Sequence, residues 1–174
     1  KNLKDLNKIK KYIKKNKKIM FGFNHRFHPA VMTAKKIVDS KKYGKIITIR
    51  GVYGKSGGIN LKKSWRNDKK FSGGGILLDQ GIHMIDLFRY FCGNFNEVKC
   101  FTSNLFWNFN VEDNAVLILK NNKNQRIQQQ QKTRVLFGTD TARLRGDIMS
   151  MHRARVIATF RRRSPPVLVM GPKV

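Results

Sequence analysis

Three consecutive glycines, followed by an apolar run with polar residues at helical intervals, constrain this chain more than any other feature: Gly73-Gly74-Gly75-Ile76-Leu77-Leu78-Asp79-Gln80-Gly81-Ile82-His83-Met84-Ile85-Asp86. The pattern predicts a helix over roughly 77–92, broken by Gly93-Asn94. In a regular helix, positions i, i+4, i+7 and i+11 fall on one side, so Asp79, His83, Asp86 and Tyr90 are predicted to share a face. Leu78, Ile82, Ile85, Leu87, Phe88 and Phe91 supply the apolar surface that buries the rest. An aspartate one turn from a histidine can fix the ring's orientation and raise its affinity for a proton, and histidine titrates near neutral pH. Asp79 and His83 are therefore the candidate catalytic pair, with His83 as general base. The glycines would let the backbone approach a ligand where side chains would block it. Each part also has a plainer explanation: a triple glycine is often a flexible loop, and a helical Asp/His pair a surface hydrogen bond.

The flanking segments predict an α+β fold. Leu3, Leu6, Ile9 and Ile13 mark a helix over 2–17, with Asn2 as its N-cap. Ile19-Met20-Phe21-Gly22-Phe23 reads as a short strand buried on both faces, so that helix and strand together look like the last unit of a βαβ fold with nothing before it to close. Pro29 opens a second helix, carried by Val31, Ala34, Ile37 and Val38 and ended by Tyr43-Gly44. Residues 45–53 switch to a period of two, with Ile47, Ile49 and Tyr53 on one face. A polar loop is expected over 55–72, and alternating strands at 97–107 and 114–120. Strand, loop, helix and then consecutive strands imply an open, mainly antiparallel sheet with packed helices.

A chain of 174 residues that is 40% apolar can bury a core. Its net charge of +27 attracts polyanions, but the lysines are scattered, and neither zinc-finger spacing nor RNP-like strands accompany them, so no specific nucleic-acid partner is expected. Cys92 and Cys100 offer neither a disulfide framework nor a metal-ligand cluster, which points to a reducing, cytoplasmic setting and to no metal. No apolar run reaches the roughly 18 residues of a membrane span. The first residue is not Met, and the chain is expected to begin inside a longer product.

Residue usage changes near position 125. Up to that point there are 22 lysines and 4 arginines; beyond it there are 2 lysines, 9 arginines and no asparagine. With Gln128-Gln129-Gln130-Gln131, Arg161-Arg162-Arg163 and Pro165-Pro166, residues 126–174 lack a sustained periodicity, apart from some helix around Arg143 to Ile157. They are read as an anomalous Arg-rich tail of out-of-frame or otherwise non-native translation. The competing reading is a non-catalytic basic module that binds nucleic acid or an acidic partner through this tail.

Taken together, the glycine-helix segment, Trp65-Arg66 upstream of it, Asn24-His25-Arg26-Phe27-His28-Pro29 and Tyr43-Gly44-Lys45-Ile46 resemble the Gfo/Idh/MocA oxidoreductases over about residues 1–125. The resemblance implies residues 1–24 as a remnant of a dinucleotide-binding (Rossmann) domain and 25–125 as a substrate and oligomerisation domain. It implies NAD or NADP as cofactor of the complete protein, and a sugar, nucleotide-sugar or cyclitol as substrate. His83 would take the hydroxyl proton while a hydride leaves the same carbon, and Asp79 would hold the substrate or the base. Arg66 would reach toward the cofactor, while Arg26, Tyr53 and Trp65 would contact the substrate. The family's Gly-x-Gly-x-x-Gly fingerprint and its Glu-Lys-Pro motif have no counterpart here, so the chain is expected to be inactive alone and, when intact, a homo-oligomer.

Overall fold

A computed structural model describes residues 3–10, 13, 20–54, 64–105 and 107–121, and the backbone of three later strands at 133–138, 153–160 and 167–170. The opening stripe forms helix α1 (Leu3–Lys10). Ile9 is exposed, as is Ile13 beyond the helix end, so the outer part of the stripe has no covering layer. Asn2, the expected cap, lies outside the described residues, as does Ile19. Met20–Phe23 departs from expectation: these residues form no strand, and Met20 is 82% exposed. An apolar run becomes a buried strand only where neighbouring strands take its N–H and C=O groups, and no described strand pairs with it.

Helix α2 (Pro29–Asp39) starts as the sequence suggests. Pro29 occupies its first turn, and the His28 side chain accepts from the Ala30 N–H at 3.3 Å. Val31 and Ala34 face inward. The chain leaves the helix through two left-handed residues, Lys41 at φ 56° and Gly44 at φ 84°, and enters the sheet.

The six strands are β1 (Ile46–Gly54), β2 (Glu97–Ser103), β3 (Asn114–Asn121), β4 (Thr133–Gly138), β5 (Arg153–Phe160) and β6 (Val167–Met170). They lie in the order β2-β3-β4-β1-β5-β6. The β1–β4 pair is parallel and the other four are antiparallel, giving the open, mainly antiparallel sheet that the alternation predicted. Alternation also sets the faces. Ala115, Leu117 and Leu119 of β3 are buried, while Val116 and Ile118 point outward. On β1, Ile49 and Tyr53 are buried, but Ile47 is partly exposed. Strand β2 is an edge and buries almost nothing on either face.

Residues beyond 126 correct the expectation of no strand pattern. β4 sits between β3 and β1, and β5 and β6 extend the sheet on the other side. Arg153 to Ile157, expected within a helix, belong to β5; residues 143–152 lie outside the described ones. The ladder explains this outcome, because a segment of weak intrinsic pattern becomes a strand when formed strands offer it a full row of backbone partners.

The 77–92 helix has two parts. Leu77–Gly81 is a π turn, and Ile82–Cys92 is helix α4. Met84, Leu87, Phe88 and Phe91 pack on the inner sheet face with Val31 and Ala34 of α2, and Met84 and Phe88 are fully buried. Gly51 of β1 makes this contact close: a Cβ there would lie 2.4 Å from Met84 Cε and 2.6 Å from Phe88 Cζ. Asn121 of β3 donates its Nδ2–H to the Cys92 carbonyl at 2.6 Å and so closes the C-terminus of α4. The expected loop at 64–72 contains a 3-10 turn, Trp65–Asn67, and a single helical turn α3, Lys69–Ser72; residues 55–63 lie outside the described ones. Among the described residues, no helix is long and apolar enough to cross a membrane.

Candidate active site

The glycines open the site, but not as predicted. Gly73, at φ 82°, is the left-handed cap that ends α3. Gly75 lies against the loop before β3. Its absent Cβ would sit 1.9 Å from the Glu112 carbonyl oxygen, which accepts the Ile76 N–H at 2.9 Å. The close approach that glycine permits is therefore to the protein's own backbone rather than to a ligand.

This contact precedes the π turn, whose i→i+5 hydrogen bonds add a residue to the turn carrying Asp79 and alter the face read from a regular helix. Asp79 and His83 make no hydrogen bond to one another. Asp79 Oδ2 instead accepts from Gln80 Nε2 at 2.8 Å, and its Oδ1 lies 3.7 Å from Arg66 Nε. His83 Nδ1 is buried without a partner. The expectation that Asp79 orients the His83 ring is thus corrected, because the wider turn carries the carboxylate toward Arg66. Within regular helix α4, Met84 shares its buried face with Leu87, Phe88 and Phe91, while Ile82, expected in the apolar layer, is 36% exposed.

His83 is bounded by rings. The His25 imidazole lies with its centroid 4.7 Å from that of His83, and Phe23 meets His83 edge-on at 6.0 Å. On its other contact His25 stacks nearly parallel on Tyr53, at 6.0 Å and 11°. His25, which the sequence reading left without a role, is therefore central. The signal was available in its place between Asn24 and Arg26 in the quoted motif, although a lone histidine there carries no distinguishing periodicity. Burial lowers the His25 pKa from its ordinary value of 6.5, helped by the nearby His83 and His28 imidazoles and opposed by Asp86. Burial, and then the charge of nearby Asp79, raise that of Tyr53, so its phenol stays protonated.

Arg26 has a different task from the predicted substrate contact. It donates from Nε and Nη2 to the two oxygens of buried Asp86, at 2.7 and 2.5 Å, and its guanidinium lies over the Tyr90 ring at 5.1 Å. Asp86 and Tyr90, placed by the helical count beside His83, thus form a separate ionic cluster that holds the 3-10 turn Asn24–Phe27 to α4. Hydrogen bonding to Asp86 raises the Arg26 pKa, which keeps the guanidinium charged. Trp65 is half exposed and carries the Arg66 guanidinium at 4.9 Å from its ring centroid. Ser64 donates from N and Oγ to Asn67 Oδ1 and holds that turn.

Tyr53 from the sheet, His25 from the turn, His83 and Asp79 from the helix, and Arg66 and Trp65 from the second turn thus form one connected constellation. Among the described residues, no group of three His, Cys, Asp or Glu side chains is arranged to hold a metal. A shallow cleft of about 320 Å³ lined by Lys69, Thr102, Ser103, Asn110 and Glu112 includes none of the predicted site residues. The constellation's chemistry is that of an imidazole with an accessible carboxylate and a neutral phenol close by, suited to moving a proton on a hydroxylated ligand.

Fold and site together define an α+β domain in which an open sheet backs a histidine-centred cluster. The sequence model of the GFO/IDH/MocA C-terminal domain matches residues 31–152, and the chain belongs to that family. The match runs beyond residue 125, where the sequence resemblance alone had stopped. Levoglucosan dehydrogenase of Pseudarthrobacter phenanthrenivorans is 40% identical over 86 residues, which cover 48% of this chain and 22% of that protein. Glucose-6-phosphate 3-dehydrogenase of Bacillus subtilis is 37% identical over 73 residues, covering 40% and 20% respectively. A solved levoglucosan dehydrogenase, in complex with NADH and levoglucosan, superposes with a TM-score of 0.63 at 22% identity, over 87% of this chain and 46% of that one. The aligned part thus spans about a fifth of the curated relatives and under half of the solved enzyme.

Proposed function

We propose that the chain is the substrate-binding part of an NAD(P)-dependent oxidoreductase that oxidises a hydroxyl of a sugar, nucleotide-sugar or cyclitol by hydride transfer. The reading is carried by the convergence of Asp79, His83 and Tyr53 at one place, with His83 Nδ1 turned inward so that Nε2 is the nitrogen left to meet a ligand. The sugar dehydrogenases among the relatives support the substrate class.

In this reading His83 Nε2 accepts the proton of the reacting hydroxyl. Asp79 Oδ1 accepts a hydrogen bond from a substrate hydroxyl, since its contact with Arg66 at 3.7 Å is loose. Tyr53, held neutral, donates from its phenol. A bound nicotinamide would supply the hydride acceptor. The residues present fit contact with one end of such a cofactor: Arg66, more than half exposed and stacked on Trp65, is free to reach it. The glycine turn that leads into the helix is no pyrophosphate seat, because it is filled by the Glu112 backbone. In this reading the cofactor's other contacts belong to a dinucleotide-binding domain outside the described residues, and turnover requires that domain. The exposed outer sheet face with Phe101, Val116 and Ile118 supports pairing with a second copy in the intact enzyme.

Titration of the chain with levoglucosan, myo-inositol and L-sorbose, followed by NMR, tests the substrate assignment. The expected result is a saturable shift of the His83 and Tyr53 side-chain signals with at least one polyol. Polyol-independent signals at both residues would sink the assignment.

A further inference from the structure

A histidine that handles protons is ordinarily aimed by a hydrogen bond from its other ring nitrogen to a carboxylate or carbonyl. His83 has none, because Nδ1 is buried without a partner and Asp79 is engaged with Gln80 and Arg66. Something else must set the ring. The contacts among the described residues are aromatic: the rings of Tyr53, His25 and His83 form a column in which His25 stacks on Tyr53 (6.0 Å, 11°) and meets His83 at a tilt of 33° with centroids 4.7 Å apart, and Phe23 closes the side of His83 edge-on.

The column is anchored at its far end. Tyr53 is 5% exposed and belongs to β1, the strand that packs directly on α4 through Gly51. His25 is anchored through its neighbour, since Arg26 holds both oxygens of Asp86 on the helix that carries His83. The middle ring is therefore fixed from the sheet and from the helix at once.

We propose that His25 is a positioning residue, an aromatic ring that sets the orientation of His83 by close, tilted ring contact, in place of a hydrogen bond to Nδ1. This rests on the reading of His83 as the proton acceptor. The charged and titratable groups around His25 are Tyr53 on β1, His28 on its own turn, and His83 and Asp86 on α4. Burial and the two neighbouring imidazoles keep it uncharged.

The test reads the His83 ring signals by NMR in the full chain and in the variants His25→Phe and His25→Gln. A stacked ring shifts its neighbour's ring protons upfield, so the wild-type His83 signals should lie upfield of an exposed histidine. His25→Phe should keep that shift and His25→Gln should abolish it. Signals unchanged by His25→Gln, or moved as far by His25→Phe as by His25→Gln, would overturn the proposal. Should the Gln variant fail to fold, the Phe variant decides alone: a retained shift supports the column, and a lost one refutes it. Turnover separates the underlying reading. In the enzyme that includes a dinucleotide-binding domain, undiminished sugar oxidation by His83→Ala removes the proton-acceptor role and leaves the column standing. A lost column with His83 still essential removes only the proposal. With both intact, His25→Gln lowers kcat with little change in KM, and His25→Phe restores it.

Discussion

Arg26 and Asp86, sixty residues apart, face each other through two charge-assisted hydrogen bonds of 2.7 and 2.5 Å and so fasten the turn bearing His25 to the helix bearing His83. Asp86 is 8% exposed and Arg26 39%, so removing the arginine leaves a carboxylate stranded in the interior, whereas removing the aspartate frees an arginine that can reach water. Arg26→Ala should cost about 2–3 kcal/mol, below the full cost of breaking a buried pair because the arginine is partly solvated. Asp86→Asn should cost less. Urea unfolding with an unchanged m-value would measure both, and a neutral Arg26→Ala would show that the pair does not hold the turn.

Gly75 and Gly74 differ in a way that their adjacency in sequence conceals. A methyl group at Gly75 would lie 1.9 Å from a backbone oxygen, whereas one at Gly74 would meet Leu78 Cβ at 3.4 Å, an ordinary contact. Gly75→Ala should destabilise by about 3 kcal/mol or more, since backbone must move, and Gly74→Ala by about 1 kcal/mol or less. Thermal melts of the two variants check the difference. Similar losses would mean that the loop at Glu112 yields easily.

Stability should also record the His25 environment. Its folded pKa lies below its unfolded value of 6.5, so between those two values the unfolded chain binds more protons than the folded one. The associated stability is complete above the unfolded value and is lost as pH falls toward the folded one. His25→Phe removes this contribution. The fall in urea midpoint between about pH 7.5 and about pH 5.5 should be smaller in the variant than in the wild type. An equal or larger fall in the variant would contradict the burial of this imidazole.

Much of the fold was legible because it rests on periodicity that local sequence records. The start of α2 at Pro29, the β1 alternation of Ile49 and Tyr53, and the end of α4 at Gly93 all follow from residues within a turn of each other. The contacts of the candidate residues were less legible than the elements that carry them. Asp79 and His83 lie four residues apart, yet Asp79 meets Gln80 and Arg66 while His83 meets His25 and Phe23, and the π turn at Leu77–Gly81 lies at the start of the segment that carries them. No apolar period announces such a turn. It accompanies the contact of Gly75 with Glu112, thirty-seven residues away in sequence. The strands beyond 126 were missed although Val135, Phe137, Val156, Ile157, Val167 and Val169 are β-favouring residues, because their ladders with β3 and β1 are non-local and the unusual Gln and Arg runs around them drew the reading away from strands.

Because Asp79 and His83 meet different neighbours, their contributions to ligand binding should be independent. Asp79 interacts with Gln80 and Arg66 and influences Tyr53, whereas His83 interacts with His25 and Phe23. A double-mutant cycle of Asp79→Asn and His83→Gln, measured as sugar affinity of the chain, should be additive within about 0.5 kcal/mol. If His83 is the proton acceptor and Asp79 a substrate contact, as proposed, the two should separate further in an enzyme that includes a dinucleotide-binding domain: His83→Gln should lower kcat about 10²- to 10⁴-fold, whereas Asp79→Asn should raise KM more than it lowers kcat. A coupling above about 1 kcal/mol would instead mean that the two side chains share a hydrogen bond in solution, and that the carboxylate orients the imidazole after all.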